Sequence, residues 1–291
     1  MSFLRLRNAG VWEVIKRTAK GFSEHDLSTY AAALAYRALF SIFPFILFLL
    51  ALLGFLHLPD FFDWLRSQAD LLLPPVAMEQ VGPVIDQLQD SQGGLMSFGI
   101  LLALWTASIG VRSLMNAMNR VYAVEESRPS WKLVLLSVAY TVGLAVMLLL
   151  AAGFMTLGPQ VMSWLASQIG MEQMLVTLWT WIRWPLAILL MMLAVALIYY
   201  ATPDVEQDFR FITPGSVVAV IVWLAASIGF GIYVQNFGNY NATYGSIGAI
   251  IVLLLYFYIS AAVLLLGAQL NATIEHASAE GKDVGDKQLE D

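Results

Sequence analysis

The sequence predicts an all-α membrane protein with six transmembrane helices, and three observations support this fold class. Of the 291 residues, 59% are hydrophobic and only 12% are charged, and the mean hydropathy is +0.72. The apolar residues form separate blocks of roughly 20, the length at which a helix crosses the bilayer core. Backbone amides in hydrocarbon must be hydrogen-bonded within their own segment, so each block is predicted to be helical. We therefore expect one integral membrane domain.

The first segment, residues 1–29, is predicted to lie on the cytoplasmic surface of the membrane. Between Val11 and Phe22, apolar residues recur at helical spacing opposite a charged face. This pattern is typical of an amphipathic helix in the interfacial plane. The segment holds no isolated apolar core with a small-residue cleavage site, so we do not expect it to be removed as a signal peptide.

The transmembrane domain is predicted over residues 30–271. Its six apolar blocks are Tyr30–Leu56, Leu95–Val111, Leu133–Leu157, Ile182–Ala201, Ile212–Phe237 and Ile247–Leu270. The long connection over residues 58–94 carries six acidic residues against the single Arg66. Its apolar residues suit short amphipathic helices, which predicts an ordered external cap. Residues 272–291 are predicted to be an acidic, disordered tail.

The distribution of basic residues predicts the orientation. The N-terminal segment taken with Arg37, the second and fourth connections and the tail together hold thirteen Lys and Arg, whereas the other side holds only Arg66 and Arg183. Because basic residues collect on the cytoplasmic side of a membrane, both termini are predicted to be cytoplasmic.

Arg37 is the first candidate functional residue, because it lies inside the first apolar block. A charge there costs free energy if it faces lipid. Either its side chain reaches back to the cytoplasmic interface, or it faces a polar cavity and attracts an anionic group. Ser41 lies on the same helix face. Pro44 removes a backbone donor and is predicted to kink the helix.

A second polar stripe lies at the inner end of the second block. Arg112, Asn116, Asn119 and Arg120 share one helix face, which predicts either cavity-lining groups or a solvated helix end. Asp204, beside Pro203, is the best acidic partner for Arg37 or Arg112, unless its loop is only solvated. Gln269 lies at the inner end of the last block and is predicted to join this cluster.

Small residues in the last block predict close helix packing. Gly245, Gly248 and Gly267 allow the backbones of neighbouring helices to approach in lipid. We expect an interface between helices along this face.

Three separated stretches resemble the YihY/BrkB family of bacterial inner-membrane proteins. They are "AAALAYRALFSIFP" in the first block, "PGS" followed by Trp223 in the fifth, and "YGSIGAIIVLLLYFYISAAVLLLGAQLNA" in the sixth. The resemblance implies six transmembrane helices with both termini inside, in the bacterial inner membrane. It also implies a suspected role in transport or export with no agreed substrate, and a ribonuclease label widely regarded as mistaken. Gln269 departs from the family pattern, in which an acidic residue is usual.

The sequence favours a transporter, exporter or lipid-handling protein with a basic, cytoplasm-facing cavity for an anionic or amphipathic substrate. The alternative is a membrane scaffold that binds a partner. An enzyme is not expected, because none of the common catalytic or phosphate-binding motifs occurs. The chain contains no cysteine and its three histidines lie outside the apolar blocks, so no metal or other cofactor is expected. We expect membrane lipids as partners and no nucleic acid, because the inner basic residues form no RNA-binding module. The oligomeric state is not readable from the sequence.

Overall fold

The computed structural model describes residues 10–54, 95–169, 172–207, 211–236, 238–277 and 287. These residues form seven helices and no strand. The helices are α1 (Val11–Glu24), α2 (Leu27–Gly54), α3 (Leu95–Val121), α4 (Ser130–Ile169), α5 (Glu172–Ala201), α6 (Pro214–Asn236) and α7 (Gly238–Ala277). The all-α prediction is therefore confirmed for the described part of the chain.

The six long helices pack as an antiparallel bundle. α2 packs between α3 and α7, α6 lies along α7, and α4 packs against both α3 and α5. The short helix α1 rests on α7, against which it buries Val14, Thr18 and Gly21. The largest buried cluster, which includes Leu27, Met118 and Leu265, joins α2, α3 and α7.

The connections 25–26, 122–129 and 202–213 lie at one end of the bundle, together with residues 271–277. We call this end the polar end. The Arg120 Nε atom donates to the backbone oxygen of His25 over 3.4 Å. The backbone N–H of Ser127 donates to Asp204 Oδ2 over 2.8 Å. These contacts place the ends of α1 and α3 and the α5–α6 loop on the same side of the bundle, and the 3.0 Å contact of His25 with Gln269 adds the end of α7.

Local capping fixes two of these connections. α3 ends in a Schellman motif, in which Val124 N–H bonds to the Asn119 carbonyl over 3.0 Å and Ala123 takes a φ of 54°. α6 begins with a reciprocal cap between Thr213 and Ser216, whose side chains each accept the other's backbone N–H. Both loops therefore leave their helices in defined directions.

Five helices in the described part of the chain, α3 to α7, are long and apolar enough to cross a membrane. Their outer surface is strongly apolar: Trp181 is 75% exposed and Ile228 is 68% exposed. Such surfaces are expected to face lipid rather than water. The remaining predicted span, the first apolar block Tyr30–Leu56, lies within α2 as far as Gly54, and its crossing of the membrane stays a prediction.

The predictions for the cap, for the kink at Pro44 and for the tail have different outcomes. The predicted cap, residues 58–94, lies outside the described residues. α2 is helical on both sides of Pro44, and the kink predicted there stays a prediction. α7 continues to Ala277, and residues 271–275 are buried, so the tail boundary predicted after residue 271 is too early. Packing at the polar end stabilises this extension.

Candidate functional site

A network of charged groups connects the loops of the polar end. The Arg128 Nε donates to Glu126 Oε1 over 2.6 Å, and its Nη2 donates to Glu126 Oε2 over 2.7 Å. This paired geometry is the strong form of an arginine–carboxylate contact. Arg128 also donates to the carbonyl of Thr202 over 3.1 Å and lies 3.6 Å from Asp204. It therefore joins the α3–α4 loop to the α5–α6 loop.

Asp204 is the second centre of this network. Its Oδ2 accepts from the Ser127 backbone N–H over 2.8 Å, from the Ser127 hydroxyl over 2.6 Å and from Lys287 Nζ over 2.8 Å. The Asn119 side chain completes the connection, since its Oδ1 accepts from the Asp204 N–H over 2.7 Å and its Nδ2 donates to Glu126 over 2.9 Å. We call Asn119, Glu126, Ser127, Arg128 and Asp204 the loop network.

The loop network corrects one sequence prediction. Asp204 pairs with Arg128 and Lys287, and not with Arg37 or Arg112. The physical reason is that Arg128 and Asp204 lie on loops that leave the bundle at the same end, whereas Arg37 and Arg112 lie inside helices.

The contacts of Asp204 change its acidity. Partial burial alone would raise the pKa of Asp204, but the hydrogen bonds from Lys287 and Ser127 outweigh that effect and lower the pKa to about 2. The pKa of Glu126 is also lowered, because the bonds from Arg128 outweigh the cost of its burial. Both carboxylates are therefore charged at neutral pH.

We expect the loop network to fail only in strong acid. Because the pKa of Asp204 is depressed from 3.8 to about 2 in the folded protein, its contribution to stability is fully present above about pH 4 and is lost as pH falls toward 2. Thermal unfolding in detergent should show this loss in the native chain. The variant Asp204→Asn should be less stable at pH 7 and should lose less stability between pH 4 and pH 2. An unchanged acid profile in the variant would contradict this assignment.

Gln269 joins α7 to α1 and not to the loop network. Its Oε1 lies 3.0 Å from His25 Nδ1, and its side chain fills the space beside Gly21. A Cβ atom at Gly21 would lie 2.5 Å from Gln269 Nε2, so a larger residue would displace the amide. The arrangement positions α1 on the bundle.

A close crossing of α6 and α7 lies next to this contact. The Gly215 N–H donates to Asn271 Oδ1 over 2.8 Å, and Asn271 Nδ2 donates to Thr213 Oγ1 over 2.9 Å. Gly267 faces Gly215 and the hydroxyl of Tyr199. Gly248 is buried. The packing predicted for Gly245 lies outside the described part of the structure.

Arg112 lies within the candidate membrane span Ile100–Val121. Its guanidinium carbon is 5.3 Å from the centre of the Trp105 ring. Its Nε atom is buried, and no acceptor for it is present among the described residues. The Arg112 Nε is therefore an unsatisfied donor beside an aromatic ring, which makes Arg112 a candidate anion-binding residue.

The remaining predicted residues are dispersed. The side chains of Arg37 and Asn116 are exposed, and neither has a hydrogen bond or ion pair with another described residue. Ser41 packs against Gly110 of α3. The described structure therefore does not gather Arg37, Arg112 and Asn116 into one cluster, and their role in a cavity stays a prediction.

An apolar cavity of about 370 Å³ lies between the helices and is partly open to the outside of the bundle. All of α2, α3, α5, α6 and α7 contribute to its wall. Representative lining residues are Leu34, Val111, Val195, Val220, Trp223 and Ser260. The volume falls within the usual range of ligand pockets. None of the seven side chains predicted for a cavity lines this one, although Val111 directly precedes Arg112.

Sequence reasoning selected Asn119 and Asp204 but missed the other members of the loop network, and it missed the apolar cavity. Glu126, Ser127 and Arg128 stand together before Pro129, and this cluster of charges beside a proline was the available signal. Lys287 offered no signal, because its partner is distant in sequence. The cavity arises from gaps between five helices, which no single segment encodes.

Comparison with known proteins relates the chain to a family. A family profile described as "Virulence factor BrkB" matches residues 18–290. The ribonuclease-like protein YfkH of Bacillus subtilis is 34% identical over 261 residues, which cover 89% of this chain and 94% of that protein. A UPF0761 membrane protein of Xanthomonas oryzae is 27% identical over 256 residues, which cover 87% of this chain but 58% of the relative. No solved structure matches the chain.

Proposed function

Because the chain belongs to the BrkB family of membrane proteins, we propose that it is a transporter or lipid-handling protein for an amphipathic anion. The observation that carries the proposal is the apolar cavity of about 370 Å³ between five helices. The hydrocarbon part of the substrate enters this cavity. An unfilled apolar cavity lacks van der Waals contacts along its wall, and a bound hydrocarbon chain would supply them.

Arg112 is proposed to attract the anionic group. It lies on the same helix as the lining residues Gly110, Val111 and Leu114, and its Nε has no acceptor among the described residues. A charge inside a membrane span is costly, so such residues commonly mark a substrate pathway. This placement differs from the sequence prediction, because the charge lies beside an apolar cavity rather than lining a basic one.

The orientation in the membrane belongs to the same proposal. The polar end faces the cytoplasm, in line with its own Arg128 and with the basic residues of the adjoining helices α1 and α3, which are Lys16, Arg17, Lys20 and Arg120. α2 is the sixth span. α1 lies in the interface, with the exposed apolar residues Val11, Trp12 and Ile15 directed to lipid. No chemical step is proposed for the protein.

The proposal is tested by binding of cis-parinaric acid, a fluorescent fatty acid, to the purified chain in nanodiscs. Ala38 lines the cavity, and Ala38→Phe should fill it and weaken binding about tenfold or more. Arg112→Gln should weaken binding of the acid by about tenfold, because one charge-assisted contact is lost, and should leave binding of the methyl ester unchanged.

Arg183→Gln is the matched control. Arg183 also lies over a tryptophan, 5.5 Å from the Trp184 ring, and its Nε is likewise buried, but it is on α5 and does not line the cavity. The Arg183→Gln variant should bind cis-parinaric acid as tightly as the native chain does. Equal binding by the native chain, Ala38→Phe and Arg112→Gln would overturn the proposal and favour a scaffold that binds a partner protein.

A further inference from the structure

The cavity contains one polar pair in an otherwise apolar wall. Among the described lining residues, only Trp223 of α6 and Ser260 of α7 carry polar side-chain atoms. The Trp223 Nε1–H donates to the Ser260 Oγ over 3.0 Å. The indole has a donor and no acceptor, so this bond uses a lone pair of the serine oxygen and leaves the hydroxyl hydrogen unused.

The unused hydrogen distinguishes Ser260 from three other small hydroxyl residues in the bundle. The hydroxyl groups of Ser113, Ser137 and Thr141 each donate to a backbone carbonyl of the preceding turn, over 3.0, 2.7 and 2.7 Å. This is the usual way in which a hydroxyl is satisfied inside a helix. Ser260 makes no such bond to any described residue. Its hydroxyl is held by Trp223 as an acceptor and remains a donor at the cavity wall.

We propose that Ser260 donates a hydrogen bond to an oxygen within the hydrocarbon part of the ligand. The ligand class is a long apolar chain or ring system that carries a single carbonyl, ester or ether oxygen away from its anionic group. An apolar environment strengthens such a bond and penalises a donor without an acceptor. Trp223 is the positioning residue, because its indole fixes the serine oxygen. This inference rests on the proposed function, since it concerns the same cavity.

The test uses two probes that differ by one oxygen. Tridecane and its mid-chain ketone are each titrated against cis-parinaric acid bound to the chain in nanodiscs, and displacement is corrected for partitioning into protein-free nanodiscs. The native chain should bind the ketone about five to ten times more tightly than the alkane, as expected for one hydrogen bond. Ser260→Ala should bind both probes equally.

Two further variants keep the test decisive. Ser113→Ala removes a hydroxyl that already bonds to the Ile109 carbonyl and does not line the cavity, so the ketone preference should persist. Trp223→Phe combined with Ser260→Ala removes both partners and leaves no unpaired indole N–H. It replaces Ser260→Ala if the single variant does not fold, and it should bind both probes equally.

The outcomes separate this inference from the proposed function. If Ala38→Phe abolishes binding of both probes and the native chain shows no ketone preference, the cavity binds hydrocarbon and the role of Ser260 is wrong. If Ala38→Phe binds both probes as the native chain does, the cavity is not the site and both proposals fail. A ketone preference that survives the loss of Ser260 would also overturn the inference.

Discussion

Replacing Gly267 with alanine is expected to lower the free energy of unfolding by about 3 kcal/mol, the upper part of the range for overpacked interiors. A Cβ atom at this position would lie 2.6 Å from the Gly215 carbonyl oxygen and 2.8 Å from the Ala219 Cβ, and would also meet the Tyr199 hydroxyl. Two of these neighbours are backbone or Cβ atoms and cannot rotate away. α6 and α7 must therefore separate.

The separation should also weaken bonds that depend on the close crossing. The Tyr199 hydroxyl donates to the Leu264 carbonyl over 2.7 Å, and Gly215 N–H donates to Asn271 over 2.8 Å. Hydrogen bonds in a water-poor interior are costly to lose. Unfolding of the purified chain in mixed detergent and sodium dodecyl sulfate, followed by circular dichroism, measures the effect.

Gly229→Ala is the matched control for Gly267→Ala. Gly229 also lies in a membrane helix, but a Cβ atom there has no neighbour within 4 Å. Alanine has the higher helix propensity, so this variant should be equal to the native chain or up to about 1 kcal/mol more stable. If both variants unfold like the native chain, the close crossing does not contribute to stability.

The helical bundle could be predicted from the sequence because each membrane helix satisfies its own backbone. A run of apolar residues such as that in α6 specifies a helix without reference to the rest of the chain. Helix ends were less predictable, because packing can continue a helix past its apolar block. Residues 272–277 show this, since they are helical and all of them except His276 are buried, although their composition resembles a polar tail.

The candidate site was predictable only where the sequence of a single helix indicates the role of a residue. Gly267 was recognisable as a packing residue because small residues in apolar helices permit close approach. The partners of Asp204 were not recognisable, because Arg128 and Lys287 reach it only after three segments have met at the polar end. Gln269 was assigned to a substrate cavity, whereas the structure places it against His25 in the connection between α1 and α2.

The loop network leads to the second large expected effect. Arg128→Gln should lower the free energy of unfolding by about 2 kcal/mol, somewhat less than the loss of one partner from a fully buried ion pair. The Arg128 side chain is only 10% exposed, and the variant leaves the Glu126 carboxylate, 20% exposed, without its paired donor. Arg120→Gln is the control, because Arg120 is exposed and makes one long bond of 3.4 Å, so its loss should cost at most a few tenths of a kcal/mol.

A second substitution separates the charge from the packing of Arg128. If the cost comes from an uncompensated carboxylate, adding Glu126→Gln to Arg128→Gln should recover about half of the lost stability, because a neutral amide can still accept from Asn119. The acid profile gives an independent measurement. Without Arg128, the pKa of Glu126 should rise, so that stability is lost at a higher pH than in the native chain. If Glu126→Gln adds a further loss instead, the role of Arg128 is to pack the two loops together rather than to neutralise them.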